Sequence, residues 1–179
     1  MSFRKLEMEE LGRLSATAFT ETQKFPFVFV LDSIRSLNNV GSVFRTADAF
    51  RFEAIYLCGI TGQPPHREIT KTALGATETV EWHFHEKISD CLQSLINKGF
   101  TIISLEQTVG SSALQNLVPG PDQKFAVVLG NEVSGVSDEA LSMCEFVYEI
   151  PQFGTKHSLN VSVAAGIVGW QLLSKFIQN

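Results

Sequence analysis

The chain predicts an α/β fold, a mainly parallel sheet flanked by helices, and three observations carry that reading. Short runs rich in apolar, β-branched and aromatic residues recur along its length. Stretches of helical length and composition separate them. Polar and glycine residues gather just after the apolar runs, where α/β sheets collect their ligands.

The run at 25–31, FPFVFVL, has no alternation of polar and apolar residues, as expected of a strand buried on both faces. Comparable strands are expected at 54–60, 101–105, 125–129 and 146–150, with helices over 39–50, 68–74, 87–97, 137–144 and 159–177. Ser137, followed by Asp138 and Glu139, suits a helix N-cap with negative charge in the first turn. Before the first strand, Leu6, Leu11 and Leu14 are spaced for one face of an amphipathic helix over 3–18. No repeat, low-complexity tract or Pro/Ser-rich linker divides the chain, so a single domain is expected over 1–179, with 1–24 a helical extension.

Composition narrows the classes. Hydrophobic residues make up 44% of the 179 and charged residues only 18%, so much of the chain should be buried or paired with another chain. A net charge of −5 provides no general attraction to nucleic acid, and any RNA contact must be local or helped by a partner. The cysteines Cys58, Cys91 and Cys144 are odd in number and far apart, which argues against a disulfide framework or zinc site and for buried thiols in a reducing compartment. The charged start, MSFRKLEMEEL, lacks the apolar core of a signal peptide. Residues 157–174 have no Asp, Glu, Lys or Arg, yet Ser158, Asn160, Ser162, Gln171 and two glycines make them too polar for a membrane span. The expectation is a cytoplasmic protein with no membrane segment and no metal.

Three segments hold the candidate chemistry. After the first strand comes a polar loop, then NNVGSVFR ending at Arg45. Asn39 is placed to cap a helix, while Arg45 has a planar fork suited to a phosphate or a carboxylate, with Asp48 as the alternative partner. The second is LGNEVSG at 129–135, in which Gly130 allows close backbone approach or unusual φ, and Glu132 can accept hydrogen bonds or neutralise an arginine. The third runs over 150–164. Ser158 or Asn160 can cap the last helix, and Asn160 and Ser162 must be hydrogen-bonded there, either to a local backbone network or to a polar ligand.

Together and in this order, the three segments resemble the three motifs of SpoU-type RNA ribose 2′-O-methyltransferases, the TrmH-like branch of the SPOUT superfamily. The run Ser158-Leu159-Asn160-Val161-Ser162, with Ala164 behind it, is the most specific part, and the resemblance spans residues 31–165. It implies S-adenosylmethionine as cofactor, held mostly by backbone groups at Leu105, Gly130, Ile150 and Leu159. It implies Arg45 as the residue that handles the ribose 2′-hydroxyl, with Asn39, Glu132, Ser158 and Asn160 as the other polar active-site positions. A C-terminal trefoil knot, an RNA substrate (tRNA or rRNA) and a homodimer that brings motif-one residues towards the partner's site are implied as well. The accessory RNA-binding domains of many relatives have no counterpart expected here. The homodimer also has a motive in the residues: Val163, Ala164, Ile167, Val168, Trp170, Leu172, Leu173 and Phe176 cover nearly the whole circumference of the last helix.

The rival classes lack their signatures. No G-x-G occurs for a dinucleotide fold and no Gly-Lys-Ser/Thr for a P-loop. The remaining alternative is a non-catalytic RNA-binding module that keeps the fold, which S-adenosylmethionine binding would discriminate.

Overall fold

The computed structural model describes residues 3–178. Its strands are β1 (Phe25–Asp32), β2 (Phe52–Cys58), β3 (Glu81–His85), β4 (Phe100–Leu105), β5 (Ser112–Ala113), β6 (Lys124–Leu129) and β7 (Phe146–Glu149). They form one sheet in the order β3-β2-β1-β6-β4-β7-β5, and every ladder is parallel. The helices are α1 (Ala16–Glu21), α2 (Leu37–Ala49), α3 (Arg67–Ala73), α4 (Ala76–Thr79), α5 (Ile88–Asn97), α6 (Asp138–Leu141) and α7 (Val161–Phe176). None of them is long and apolar enough to cross a membrane.

Side-chain alternation along β1 explains the layers. Phe27, Phe29 and Leu31 point to one face, where Val43 and Phe44 of α2, Ile69 of α3, and Ala165, Val168 and Leu172 of α7 pack on them. Val28 and Val30 point to the other, against Cys91, Leu92 and Leu95 of α5 and Ala140 of α6. Phe27 to Leu31 are all fully buried, so the strand expected to be enclosed on both sides is.

The structure departs from the sequence expectations in three places. The helix expected over 3–18 does not form. A 3-10 turn at Met8–Leu11 stops at Gly12, whose φ of 59° is left-handed, and α1 restarts only after Ser15 caps it; Leu6, Leu11 and Leu14 are exposed. Strands β3 and β5 were not expected. Both lie at the edges of the sheet, where half-exposed sequences such as EWHFH lack a continuous apolar run. The helix expected over 137–144 is the single turn α6, with Ser137 its N-cap as anticipated.

Register determines where chemistry can sit. Leu31 pairs with Leu129, Leu129 with Leu105, and Leu105 with Tyr148, so β1, β6, β4 and β7 end along one line. The loops after these four strands share one end of the sheet. Strand order switches direction there, with β1, β2 and β3 running to one side and β4 lying beyond β6 on the other.

Candidate active site

The loop after β1 turns at Ser33, and Ser36 caps α2 by accepting the Asn39 N–H at 3.3 Å. The helix therefore begins at Leu37, and Asn39 is a first-turn residue rather than its cap. This leaves the Asn39 side chain free to reach the loop after β6. Its Nδ2 donates to Glu132 at 3.0 Å, and the same carboxylate accepts the N–H groups of Arg35 at 2.9 Å and Ser36 at 3.0 Å. Burial opposes ionisation of Glu132, but those three donors and its own backbone N–H outweigh it and hold the carboxyl below its ordinary range. Glu132 thus satisfies the amides at the start of α2 and does not pair with an arginine.

The network continues into the third segment. Asn160 Nδ2 donates to Asn39 Oδ1 at 3.1 Å. Asn160 Oδ1 accepts the Ser162 N–H at 2.8 Å, the Ser162 hydroxyl at 2.6 Å and the Val163 N–H at 3.4 Å, so Asn160 is the N-cap of α7. Of the two roles open to Asn160 and Ser162, the local network is the one they fill. Glu132, Asn39 and Asn160 form a continuous hydrogen-bond chain through all three segments. Ser158 is exposed beside this chain and takes no part in it.

Three further residues bind the same loops together and were not anticipated. Asp32, buried at the end of β1, accepts the Ser137 N–H at 2.9 Å. Glu106, just past β4, accepts the N–H groups of Val136 at 2.9 Å and Gln107 at 2.8 Å. Asn131 donates to Ser33 O at 2.6 Å and accepts from Val133 and Ser134 inside its own turn. The acid that closes the apolar run FPFVFVLD was the one visible hint, since a carboxylate buried at a strand end needs donors. Glu106 accepts the distant Val136 N–H and Asn131 donates to the distant Ser33 carbonyl, pairings that no local pattern encodes.

Gly130 is required by its own loop. A Cβ there would lie 2.2 Å from both Gly135 C and Val136 N, because residues 131–135 fold back in a tight turn closed by two 2.9 Å bonds between Asn131 and Gly135. Its glycine is explained by backbone approaching backbone. The backbone groups of Gly130, Ile150 and Leu159 make no hydrogen bond to any described residue. With partly buried Leu105 beside them, the ends of β6, β4 and β7 offer free donors and acceptors around apolar surface, as a heterocyclic ligand requires.

Arg45 lies apart from this chain, on an exposed face of α2. Its guanidinium makes neither ion pair nor hydrogen bond among the described residues; Asp48 instead accepts the Thr79 hydroxyl at 2.6 Å. The side chain lines a groove of about 500 Å³ formed by α2, α3 and α7.

The family model of the SpoU rRNA methylase family matches residues 26–170. The chain belongs to that family. The 23S rRNA (guanosine-2′-O-)-methyltransferase RlmB of Neisseria meningitidis is 32% identical over 143 residues, covering 80% of this chain and 56% of that protein. The crystal structure of the A. aeolicus TrmH/SpoU tRNA modifying enzyme matches with a TM-score of 0.79 at 24% identity, over 89% of this chain and 79% of that one. The AdoMet-bound rRNA methyltransferase from Sinorhizobium meliloti matches with a TM-score of 0.77 at 24% identity, over 86% and 58%. At those identities the solved structures establish the fold alone. The chain spans between 56% and 61% of the length of the curated relatives it matches. For this SpoU-family fold, the residues named from sequence fall into two groups. Leu105, Gly130, Ile150, Ser158, Leu159, Asn39, Glu132 and Asn160 belong to the loops and strand ends at one end of the sheet, whereas Arg45 lines the α2–α3–α7 groove.

Proposed function

We propose that this chain transfers a methyl group from S-adenosylmethionine to a ribose 2′-hydroxyl of RNA, either tRNA or rRNA. The observation that carries the reading is the Glu132–Asn39–Asn160 chain, which joins the three family segments beside the ends of β6, β4 and β7. The free backbone groups of Gly130, Ile150 and Leu159 hold the cofactor, and Leu105 supplies apolar contact. When bound, S-adenosylmethionine supplies a sulfonium-activated methyl group that an in-line oxygen can take. Arg45 grips the phosphate beside the target ribose and stabilises negative charge developing on the 2′-oxygen; the proton passes to that phosphate, because a guanidinium stays protonated and is no base. Ser158, exposed next to Asn160, faces the substrate. The chain acts in the cytoplasm.

The exposed apolar face of α7 supports a homodimer. Val163, Ile167 and Trp170 form an apolar stripe at helical spacing and are 50%, 39% and 57% exposed, while Val161, Ala165, Val168 and Leu172 face the sheet. A trefoil knot fits the contacts of the segment after β7. Gln107 Nε2 donates to His157 O at 2.7 Å, and Gln171 Nε2 to Leu117 O at 2.9 Å, so the stretch after β4 touches both ends of that segment. Sedimentation at micromolar concentration is expected to give twice the chain mass, with Trp170→Glu giving monomers or aggregates. A fully active wild-type monomer would remove the dimer.

The activity is tested by incubating the protein with methyl-labelled S-adenosylmethionine and unmodified tRNA and rRNA, then digesting to nucleosides. Label in a 2′-O-methylnucleoside is the expected result. Cofactor and RNA binding without transfer would instead mark a non-catalytic RNA-binding module.

A further inference from the structure

We propose that the α2–α3–α7 groove is an RNA subsite, in which Lys71 pairs with Arg45 to hold the phosphodiester strand and Leu74 supports a nucleobase next to the target nucleotide. The inference deepens the RNA reading of Arg45 and rests on it. Nine residues line the groove, including Ser42, Arg45 and Thr46 of α2, Lys71 and Thr72 of α3, and Gly166 of α7. Two cations face it and no carboxylate does, which is unusual on a chain of net charge −5. Neither the Arg45 guanidinium nor the Lys71 ammonium has an ion pair or hydrogen bond among the described residues. The hydroxyls are already committed as donors: Ser42 and Thr72 to Asn38 O, and Thr46 to Ser42 O. The only free strong donors are therefore the two cations, and their complement is an anion.

Two other lining residues are poor choices for folding alone. Leu74, the C-cap of α3, sits at φ 51°, a left-handed position that favours Gly or Asn, and it is 67% exposed. Gly166 stands inside α7, where glycine weakens a helix, yet a Cβ there would meet nothing within 4 Å. Among the described residues, Leu74 is mostly exposed and a Cβ at position 166 would touch nothing, so no packing requires either residue. Both widen or line the same groove, one by adding an apolar rim and the other by removing a side chain. Backbone strain and lost propensity retained beside two unpaired cations point to a ligand with both charge and a planar apolar face. A nucleotide strand has both, whereas a free inorganic anion has no use for Leu74.

The test measures binding of a fluorescein-labelled 16-nucleotide single-stranded RNA and of an unmodified tRNA transcript across a salt series, with thermal melts and sedimentation on every variant. Lys71→Ala is expected to weaken both RNAs several-fold and to make the plot of log affinity against log salt shallower by about one. Lys71→Arg should recover the slope. Leu74→Asn and Gly166→Ala are expected to weaken RNA binding while raising Tm, by about 2–4 °C for each relieved position. Affinity for S-adenosylhomocysteine should stay unchanged in all of them. Because binding is read without turnover, failure of methyl transfer would strike the proposed reaction and leave this subsite standing. An unchanged salt slope for Lys71→Ala would overturn the subsite. So would conversion of Leu74→Asn or Gly166→Ala to monomers, since those residues would then serve a contact between copies of the chain.

Discussion

The two ends of α2 meet different surroundings. At its N-terminal end, Ser36 and Asn39 are tied into a network where the amides, the Glu132 carboxylate and the Asn160 side chain use one another as partners. Towards its C-terminal end, Arg45 faces a groove with a second cation and no anion. The first end is complete within the chain, and its residues act by fixing loops. At the second, Arg45 and Lys71 have no ion pair or hydrogen bond among the described residues, and in the proposed reaction they act on something added. Polar residues that look alike in a motif therefore divide into frame and working surface, and substitutions should separate them by what is lost.

The sharpest separation should come from Arg45→Ala. It is expected to cut kcat on the RNA substrate by about 100- to 1000-fold, while stability moves by no more than about 0.5 kcal/mol because the side chain has no partner to lose among the described residues. Lysine should not restore the rate, having no planar fork. Chemical denaturation beside single-turnover kinetics checks both halves, and an unfolding loss as large as that of a network variant would erase the distinction.

Gly130→Val should do the reverse. A Cβ 2.2 Å from the Gly135 and Val136 backbone forces the turn open, at a cost of about 3 kcal/mol. Cofactor affinity should fall with the fold, so urea melts and ligand titration should move together. Weaker cofactor binding with an unchanged melt would mean that the added side chain displaces the ligand directly, with the turn intact.

Within the network, Glu132→Gln and Asn160→Ala are each expected to cost about 1–2 kcal/mol. Since Asn39 bridges them, the double variant should depart from the sum by about 0.5 kcal/mol or more. Strict additivity in a double-mutant cycle would show the three side chains to be separate contacts.

The smallest effect is on pH. The Glu132 carboxyl lies below its ordinary value of 4.5 in the folded protein, so its contribution is fully present above about that pH and is lost as pH falls through the lower folded value. The Tm of the wild type should therefore drop more steeply below pH 4.5 than that of Glu132→Gln. Parallel curves would mean that the carboxylate gains nothing from its donors.

Much of this molecule was legible because burial leaves a pattern. FPFVFVL and FAVVL read as enclosed strands and are, since a strand covered on both faces is built mainly of apolar residues. The edge strand EWHFH was missed because one side of it meets solvent, and the spacing of Leu6, Leu11 and Leu14 misled because Gly12 ends the turn that they imply. The order of the three motif segments, with Arg45, Glu132 and Asn160 in place, was enough to assign the family. Only tertiary structure decided that Ser36 and Asn160, rather than Asn39 and Ser158, cap their helices. It also decided that Asp32 and Glu106 close loops from other strands, and that Arg45 shares a groove with Lys71. A buried apolar run answers to solvent, which every residue of it meets in the same way. A hydrogen bond answers to one partner, and here the partners lie up to 121 residues away along the chain.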